Sequence, residues 1–113
     1  MSADFDTLEL QEQFEEVIRR DDKLATQDFL NSQNISDVAD LIRDNGDYAG
    51  QIIAILSPHR AASTFKILDV PTQKEVIQAL PPLKTAELLN ELPADDRTSF
   101  LEELPNEVVR ELI

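Results

Sequence analysis

Cysteine and tryptophan are absent from this chain, and glycine occurs only at Gly46 and Gly50. Without cysteine there is no disulfide, no thiolate nucleophile and no sulfur ligand for a structural zinc. Two isolated glycines cannot build a phosphate-cradling loop. Histidine occurs once, at His59 in the first turn after Pro58, so a triad, a zinc site or a proton relay would lack its other members. Ser57, Ser63 and Ser99 have no activating base at a readable spacing. The reading is therefore non-enzymatic. No apolar run approaches the roughly 20 residues of a membrane span, and no basic segment followed by an apolar one opens the chain. The sequence predicts no direct membrane insertion.

Basic residues are also few. The 113 residues carry 10 Lys and Arg against 23 Asp and Glu, a net charge of −13. The imbalance is steeper in residues 1–57, with 13 acids and 4 bases, than in residues 58–113, with 10 and 6. A field of this sign repels nucleic-acid phosphates and anionic lipid and favours cations or basic partner surfaces. Most of the acids are accounted for as solvated helix faces and helix caps. Five Phe, one Tyr and 42% hydrophobic residues leave a largely aliphatic core, which suits helices packed on helices in one domain.

What the chain does have is a ladder. Leu56, Leu68, Leu80, Leu92 and Leu104 recur every twelve residues. Phe65, Ile77, Leu89, Leu101 and Ile113 keep the same period, and Thr64, Val76, Leu88, Phe100 and Leu112 form a third series one position earlier. Pro58, Pro71, Pro81, Pro82, Pro93 and Pro105 punctuate the units. A fixed period with a punctuating residue is a repeat signature. Twelve residues make about 3.3 helical turns, so one continuous helix would rotate the apolar stripe by roughly 120° per unit. Proline removes a backbone donor and disfavours helix for the residue before it. Each unit is thus predicted to be one helix of about eight to ten residues followed by a corner. The predicted architecture is an all-α solenoid of about nine short helices, with period-12 repeats over residues 56–113.

Taken in order, residues 1–5 are predicted to fray and the domain to span 6–113. Asp6 can cap a helix over Thr7–Arg20, with Leu8, Leu10, Phe14, Val17 and Ile18 inside. Asp21 or Asp22 starts a second helix through Leu24, Phe29 and Leu30. Ile35-Ser36-Asp37 reads as an apolar staple followed by an N-cap, opening a third helix with Val38, Leu41 and Ile42 inside. Asn45-Gly46-Asp47 is a turn, and Tyr48–Leu56 a fourth helix. Ser57-Pro58 reads as N-cap and first helical residue. The units Pro58–Leu68, Pro71–Leu80, Pro82–Leu92, Ala94–Leu104 and Asn106 onward follow. The last one stops on an apolar pair, which reads as a chain cut inside a repeat.

The candidates for chemistry are acids. Asp44-Asn45-Gly46-Asp47 fails the EF-hand pattern, because Ile42 stands where a ligand is needed and no Glu closes the far end. The pairs Asp95-Asp96, Glu102-Glu103 and Glu87 with Glu91 set like charges on neighbouring helix turns, a repulsion that a divalent cation relieves. Mg²⁺ is hard, prefers oxygen and keeps several waters, so one or two carboxylates per site suffice. Asp95, Asp96 and Glu91 are the candidate metal ligands.

The run Ile35-Ser36-Asp37-Val38-Ala39-Asp40-Leu41-Ile42 resembles a pattern of the cytosolic N-terminal domain of MgtE-type magnesium transporters. So do Ala79-Leu80-Pro81-Pro82, Ala86-Glu87-Leu88-Leu89-Asn90-Glu91-Leu92-Pro93 and Leu101-Glu102-Glu103-Leu104-Pro105. The resemblance covers about residues 10–113. It implies a right-handed superhelix followed by paired CBS domains, a connecting helix and a transmembrane pore, in a homodimer at the cytoplasmic face of the bacterial inner membrane. It also implies a low-affinity regulatory Mg²⁺, bridging this domain to the CBS domains of the same chain and holding the pore closed. Aligned on the leucine ladder, one family ligand position falls on Asp95, while two others fall on Ser63 and Ser99, which are poor Mg²⁺ ligands. The runner-up resemblance is a protein-interaction adaptor of the FliG kind with no metal role. Against it, the Glu-His-Pro-Gln run and charged torque helix of FliG are not visible here.

Overall fold

The computed structural model describes residues 9–103, and over them the backbone is helical, with no strand. Eight α-helices follow one another: α1 (Leu10–Arg19), α2 (Lys23–Ser32), α3 (Ile35–Asp44), α4 (Ala49–Ile55), α5 (Pro58–Lys66), α6 (Val70–Ala79), α7 (Pro82–Glu91) and α8 (Ala94–Glu103). A short 3-10 helix, Gly46–Tyr48, connects α3 to α4. Asp6, Leu8 and the unit from Asn106 onward, with Leu104, Leu112 and Ile113, lie outside the described residues.

The described ladder residues of the C-terminal half belong to the core, together with Phe14, Leu30, Val38, Leu41, Ile42 and Ile52 of the first four helices. Leu56, Leu68, Leu80 and Leu92 are all buried, as are Phe65, Ile77 and Leu89. The third series is buried throughout its described length, at Thr64, Val76, Leu88 and Phe100. The leucine rungs lie at or just past the helix ends. Leu80 and Leu92 are the C-caps of α6 and α7, with ψ of 144° and 143°. Each precedes a proline, whose ring forbids the α conformation to the residue before it. The corner is therefore forced, and it drives the leucine side chain into the seam. Leu56, the C-cap of α4, is extended in the same way (ψ 151°). Leu56 and Leu80, one rung skipped, both line a gap of about 20 Å³. That is room for about one water.

Helices pack mainly on the helix two positions back. α3 packs against α5, α4 against α6 and α5 against α7, while α1 meets both α2 and α3. Alternate helices thus form two rows along a molecule extending 54 × 22 × 21 Å. α4 and α6 approach closely at Gly50, where an added β-carbon would fall 2.5 Å from the Cβ of Ala79. Buried threonines stay satisfied locally: Thr64 Oγ1 donates to the Arg60 carbonyl at 2.9 Å and Thr85 Oγ1 to the Pro81 carbonyl at 3.3 Å.

Several boundaries differ from the sequence reading, four of them for a capping reason. α1 starts at Leu10 rather than Thr7, because Glu9 is extended (φ −66°, ψ 159°) and its carbonyl takes the first helical bond, from the Gln13 N–H. α3 is capped by Asn34, whose Oδ1 accepts from the Asp37 N–H at 2.9 Å. Ile35 is therefore the first helical residue and not a staple, and Asp37 stands three residues past the cap, where an acid favours the helix. α6 starts at Val70, one residue before Pro71, because Asp69 accepts from the Thr72 N–H at 2.8 Å. α4 ends at Ile55, with Leu56 as its cap. Between α1 and α2 the chain turns at Asp21, whose φ of 52° lies in the left-handed region that Asp tolerates better than most residues. Asp22 then caps α2 through the N–H groups of Leu24 and Ala25.

Candidate functional site

Of the acids singled out in the sequence, Glu91, Asp95 and Asp96 flank the corner between α7 and α8, whereas Glu102 and Glu103 stand at the far end of α8. Glu91 is the last residue of α7, at the negative end of that helix dipole. Leu92 is buried beneath the corner and Pro93 closes it, its carbonyl accepting from the Arg97 N–H at 2.9 Å. Asp95 and Asp96 then occupy the first turn of α8, at the positive end of its dipole. All three carboxylates are exposed. The dipoles act on them in opposite senses: α8 stabilises Asp95 and Asp96, whereas α7 leaves Glu91 poorly compensated.

Their neighbours differ. Among the described residues Asp95 and Glu91 have no ion-pair partner. Asp96 has one: the Lys66 Nζ, from the last turn of α5, lies 3.5 Å from its Oδ2. Glu87, one turn before Glu91, pairs with Lys84 at 3.7 Å. Asp96 and Ser99 also border a cleft of about 290 Å³, where α8 faces Phe65 and Lys66 of α5 and Val70 and Gln73 of α6. The floor is aromatic: the Phe65 and Phe100 rings meet edge to face, with centroids 4.9 Å apart. Ser63 is half-buried on α5 and does not border this cleft, whereas Ser99 does. His59 is exposed, in keeping with a surface residue at a helix start.

These donors are hard oxygens, the right chemistry for Mg²⁺. Their number falls short of a self-contained shell. Among the described residues no group of three or more His, Asp or Glu side chains is placed to hold a metal ion. The corner therefore offers Asp95 and Glu91 as open carboxylates and Asp96 as one already shared with an ammonium.

Lys66 is the residue that sequence reading missed. Its partner lies two and a half repeats downstream, and no local spacing signals the pair. Arg60 was equally silent. Its guanidinium donates to the Leu30 carbonyl at 3.2 Å and to the Gln33 carbonyl, at the end of α2. Nearby, the Ser57 N–H donates to Asn31 Oδ1 at 3.1 Å, so the start of α5 is tied to the end of α2 twice.

Comparison with known proteins places the chain among relatives of the same fold. The family model for the MgtE intracellular N domain matches residues 30–113. Among solved structures, the chain is similar to the crystal structure of the cytosolic domain of the Mg²⁺ channel MgtE in complex with ATP. The TM-score is 0.78 at 24% sequence identity, over 89% of this chain and 43% of that one. At that identity the likeness concerns the fold, and this chain spans less than half of the length of the protein it matches. No curated protein matches the chain by sequence.

Proposed function

The chain belongs to the MgtE intracellular N domain family, and from that premise we propose that it is a Mg²⁺-responsive regulatory domain of a magnesium transporter. The family is not enzymatic. Among the described residues no helix is long and apolar enough to cross a membrane, so transport itself would belong to other parts of a longer protein.

The observation that carries the proposal is the α7–α8 corner, which presents exposed carboxylates from two helix ends above buried leucines. Leu88, Leu89 and Leu92 hold that corner from beneath, all buried. Asp95, with Glu91 and Asp96, would supply one side of a Mg²⁺ site, the other side coming from an acidic surface of downstream CBS domains in the same chain. A divalent ion there supplies charge neutralisation between two surfaces that otherwise repel. The chain's own part is to fix its carboxylates in place, so that the repulsion acts on the whole domain rather than on loose side chains. A rigid body that is held or released in this way can bias a gate. In this reading the two rows of helices form a right-handed superhelical solenoid, the full protein is a homodimer, and the domain lies at the cytoplasmic face of the bacterial inner membrane.

The match over residues 30–113 favours this reading over an adaptor of the FliG kind. Small-angle scattering on a chain that carries this domain together with its downstream CBS domains tests it. The proposal expects the radius of gyration to fall on addition of millimolar Mg²⁺. An unchanged radius up to about ten millimolar Mg²⁺ contradicts it.

A further inference from the structure

α8 is held differently from the helices before it. α3 packs broadly on α5, α4 on α6 and α5 on α7, but among the described residues α6 and α8 make no contact of that extent. A cleft of about 290 Å³ lies there instead, between α8 and residues of α5 and α6. The ladder register gives a reason. Gly50 of α4 and Ala62 of α5, twelve residues apart, are both small and buried. The next residue in that series is Lys74 of α6, long and half-buried. Gly50 lets α6 come up against α4. A side chain of the length of Lys74 in the same place does not allow α8 the same approach to α6. What holds α8 crosses the cleft to α5. The Phe65 and Phe100 rings meet edge to face at 4.9 Å, and Lys66 Nζ lies 3.5 Å from Asp96 Oδ2. The ring contact is buried, whereas the paired side chains are 44% and 47% exposed. An exposed pair of this kind adds little.

We infer that α8 is a strap that opens from the solenoid on its own, turning at the Leu92-Pro93 corner while the helices before it stay packed. Stability is uneven within a domain, and segments with few buried apolar contacts open first. Among its described side chains α8 buries only Phe100, with Leu101 partly covered. By contrast, α4 buries Ala49, Gly50, Ile52 and Ile53, and α5 buries Ala61, Ala62, Thr64 and Phe65. The corner itself stays anchored, because Leu92 is buried beneath it. An opened strap uncovers the apolar side of the cleft, at Phe65 and Val70, and carries Asp95 and Asp96 away from α5. The position of these two carboxylates is thereby tied to a single aromatic contact. The described chain divides into a firm body, α3 to α7, and a compliant end.

The test is native-state amide hydrogen exchange of the 113-residue chain at several low urea concentrations. The amides of residues 98–102 are expected to exchange at least about tenfold faster than those of α4 and α6, with a weaker dependence on urea. Ser99→Leu reaches into the cleft, whereas Thr98→Leu brings a similar gain in helix propensity at a position that does not border it. Ser99→Leu should slow exchange in α8 about tenfold relative to Thr98→Leu, because it buries a leucine against Phe65 and Val70. Phe100→Ala should speed exchange in α8 by at least about tenfold and leave α4 and α6 within about two-fold of wild type. Equal rates and equal urea dependence in α8, α4 and α6 overturn the inference, as does an acceleration by Phe100→Ala that is spread evenly over all three. Equal rates for Ser99→Leu and Thr98→Leu overturn it too, because the open cleft is what frees α8. Should Phe100→Ala fail to fold, wild type and the two leucine variants decide. No arm contains Mg²⁺, so the regulatory reading stands or falls separately, on compaction of the longer chain.

Discussion

Gly50 of α4 sits so close to Ala79 of α6 that a β-carbon added to it would lie 2.5 Å from the Ala79 Cβ. Gly50 is buried in the first turn of α4, although glycine is among the poorest helix formers. Two effects oppose each other in Gly50→Ala. Helix propensity favours alanine by about 0.8–1 kcal/mol. Overpacking a rigid helix contact costs about 1–3 kcal/mol, and neither a β-carbon nor a helix backbone can rotate away. The close approach should win, with a net loss of up to about 2 kcal/mol in urea unfolding. A gain of about 1 kcal/mol would mean that propensity acts alone and that α4 and α6 stand farther apart.

The rungs make the second prediction. Leu80 and Leu92 are 8% and 5% exposed, and each plugs the seam beneath a proline corner. Truncation to alanine should cost about 2–5 kcal/mol at either position, because both apolar transfer and a residual cavity count against it. Leu83, 72% exposed on α7, is the matched control and should change stability by less than about 0.5 kcal/mol. If the rung and the control variants unfold at the same urea concentration, the ladder is not the core.

Arg60 supplies the third. Arg60→Met keeps most of the aliphatic stem but leaves the Leu30 and Gln33 carbonyls without their donor. Hydrogen bonds from charged groups are worth about 1.5–3 kcal/mol, so a loss in that range is expected. Arg60→Lys should recover less than half of it, since both bonds leave the terminal Nη2 and the shorter lysine side chain does not carry its ammonium as far. Full recovery by lysine would show that charge alone matters at the end of α2.

A pH dependence follows from the cap of α6. The Thr72 hydroxyl first, and the Thr72 N–H second, hold the Asp69 carboxyl below the ordinary carboxylate range; partial desolvation opposes them weakly. A carboxyl lowered in the folded state adds stability above its unfolded value, near about pH 4, and that stability is lost as pH falls through the folded value. Asn is an equally good cap but does not titrate in this range. Asp69→Asn should therefore match wild type at pH 7 and lose less of its melting temperature than wild type does between about pH 4 and pH 2.5. Parallel loss in the two proteins would remove Asp69 from the acid response.

Much of the fold is legible in the sequence, because its determinants are periodic and local. Leu56, Leu68, Leu80 and Leu92 are recognisable as core from their spacing, and Pro58, Pro82 and Pro93 announce the starts of α5, α7 and α8 from steric rules alone. The less legible features lie where two local solutions compete or where the determinant is distant. Asn34 and the Ser36-Asp37 pair are both acceptable caps, and the structure takes Asn34. Asp69 is an ordinary surface acid until its bond to Thr72 is seen. The Gly50–Ala79 approach, the reach of Arg60 to α2 and the Lys66–Asp96 pair all depend on how helices stack across the rows, which no window of the sequence contains. For the same reason, the candidate acids Glu91, Asp95 and Asp96 can be named in advance, but the sharing of Asp96 with Lys66 cannot.

The central claim is that carboxylates at the α7–α8 corner make this domain respond to Mg²⁺ in a longer chain. Limited proteolysis of a chain that continues into the downstream CBS domains tests it most directly, with and without millimolar Mg²⁺, for wild type and for the combined Glu91→Gln, Asp95→Asn and Asp96→Asn variant. The account predicts that Mg²⁺ slows cleavage between this domain and the next in wild type, and that the variant loses most of this protection while keeping its helical content. Equal cleavage rates with and without Mg²⁺ in wild type, or full protection in the variant, would contradict it.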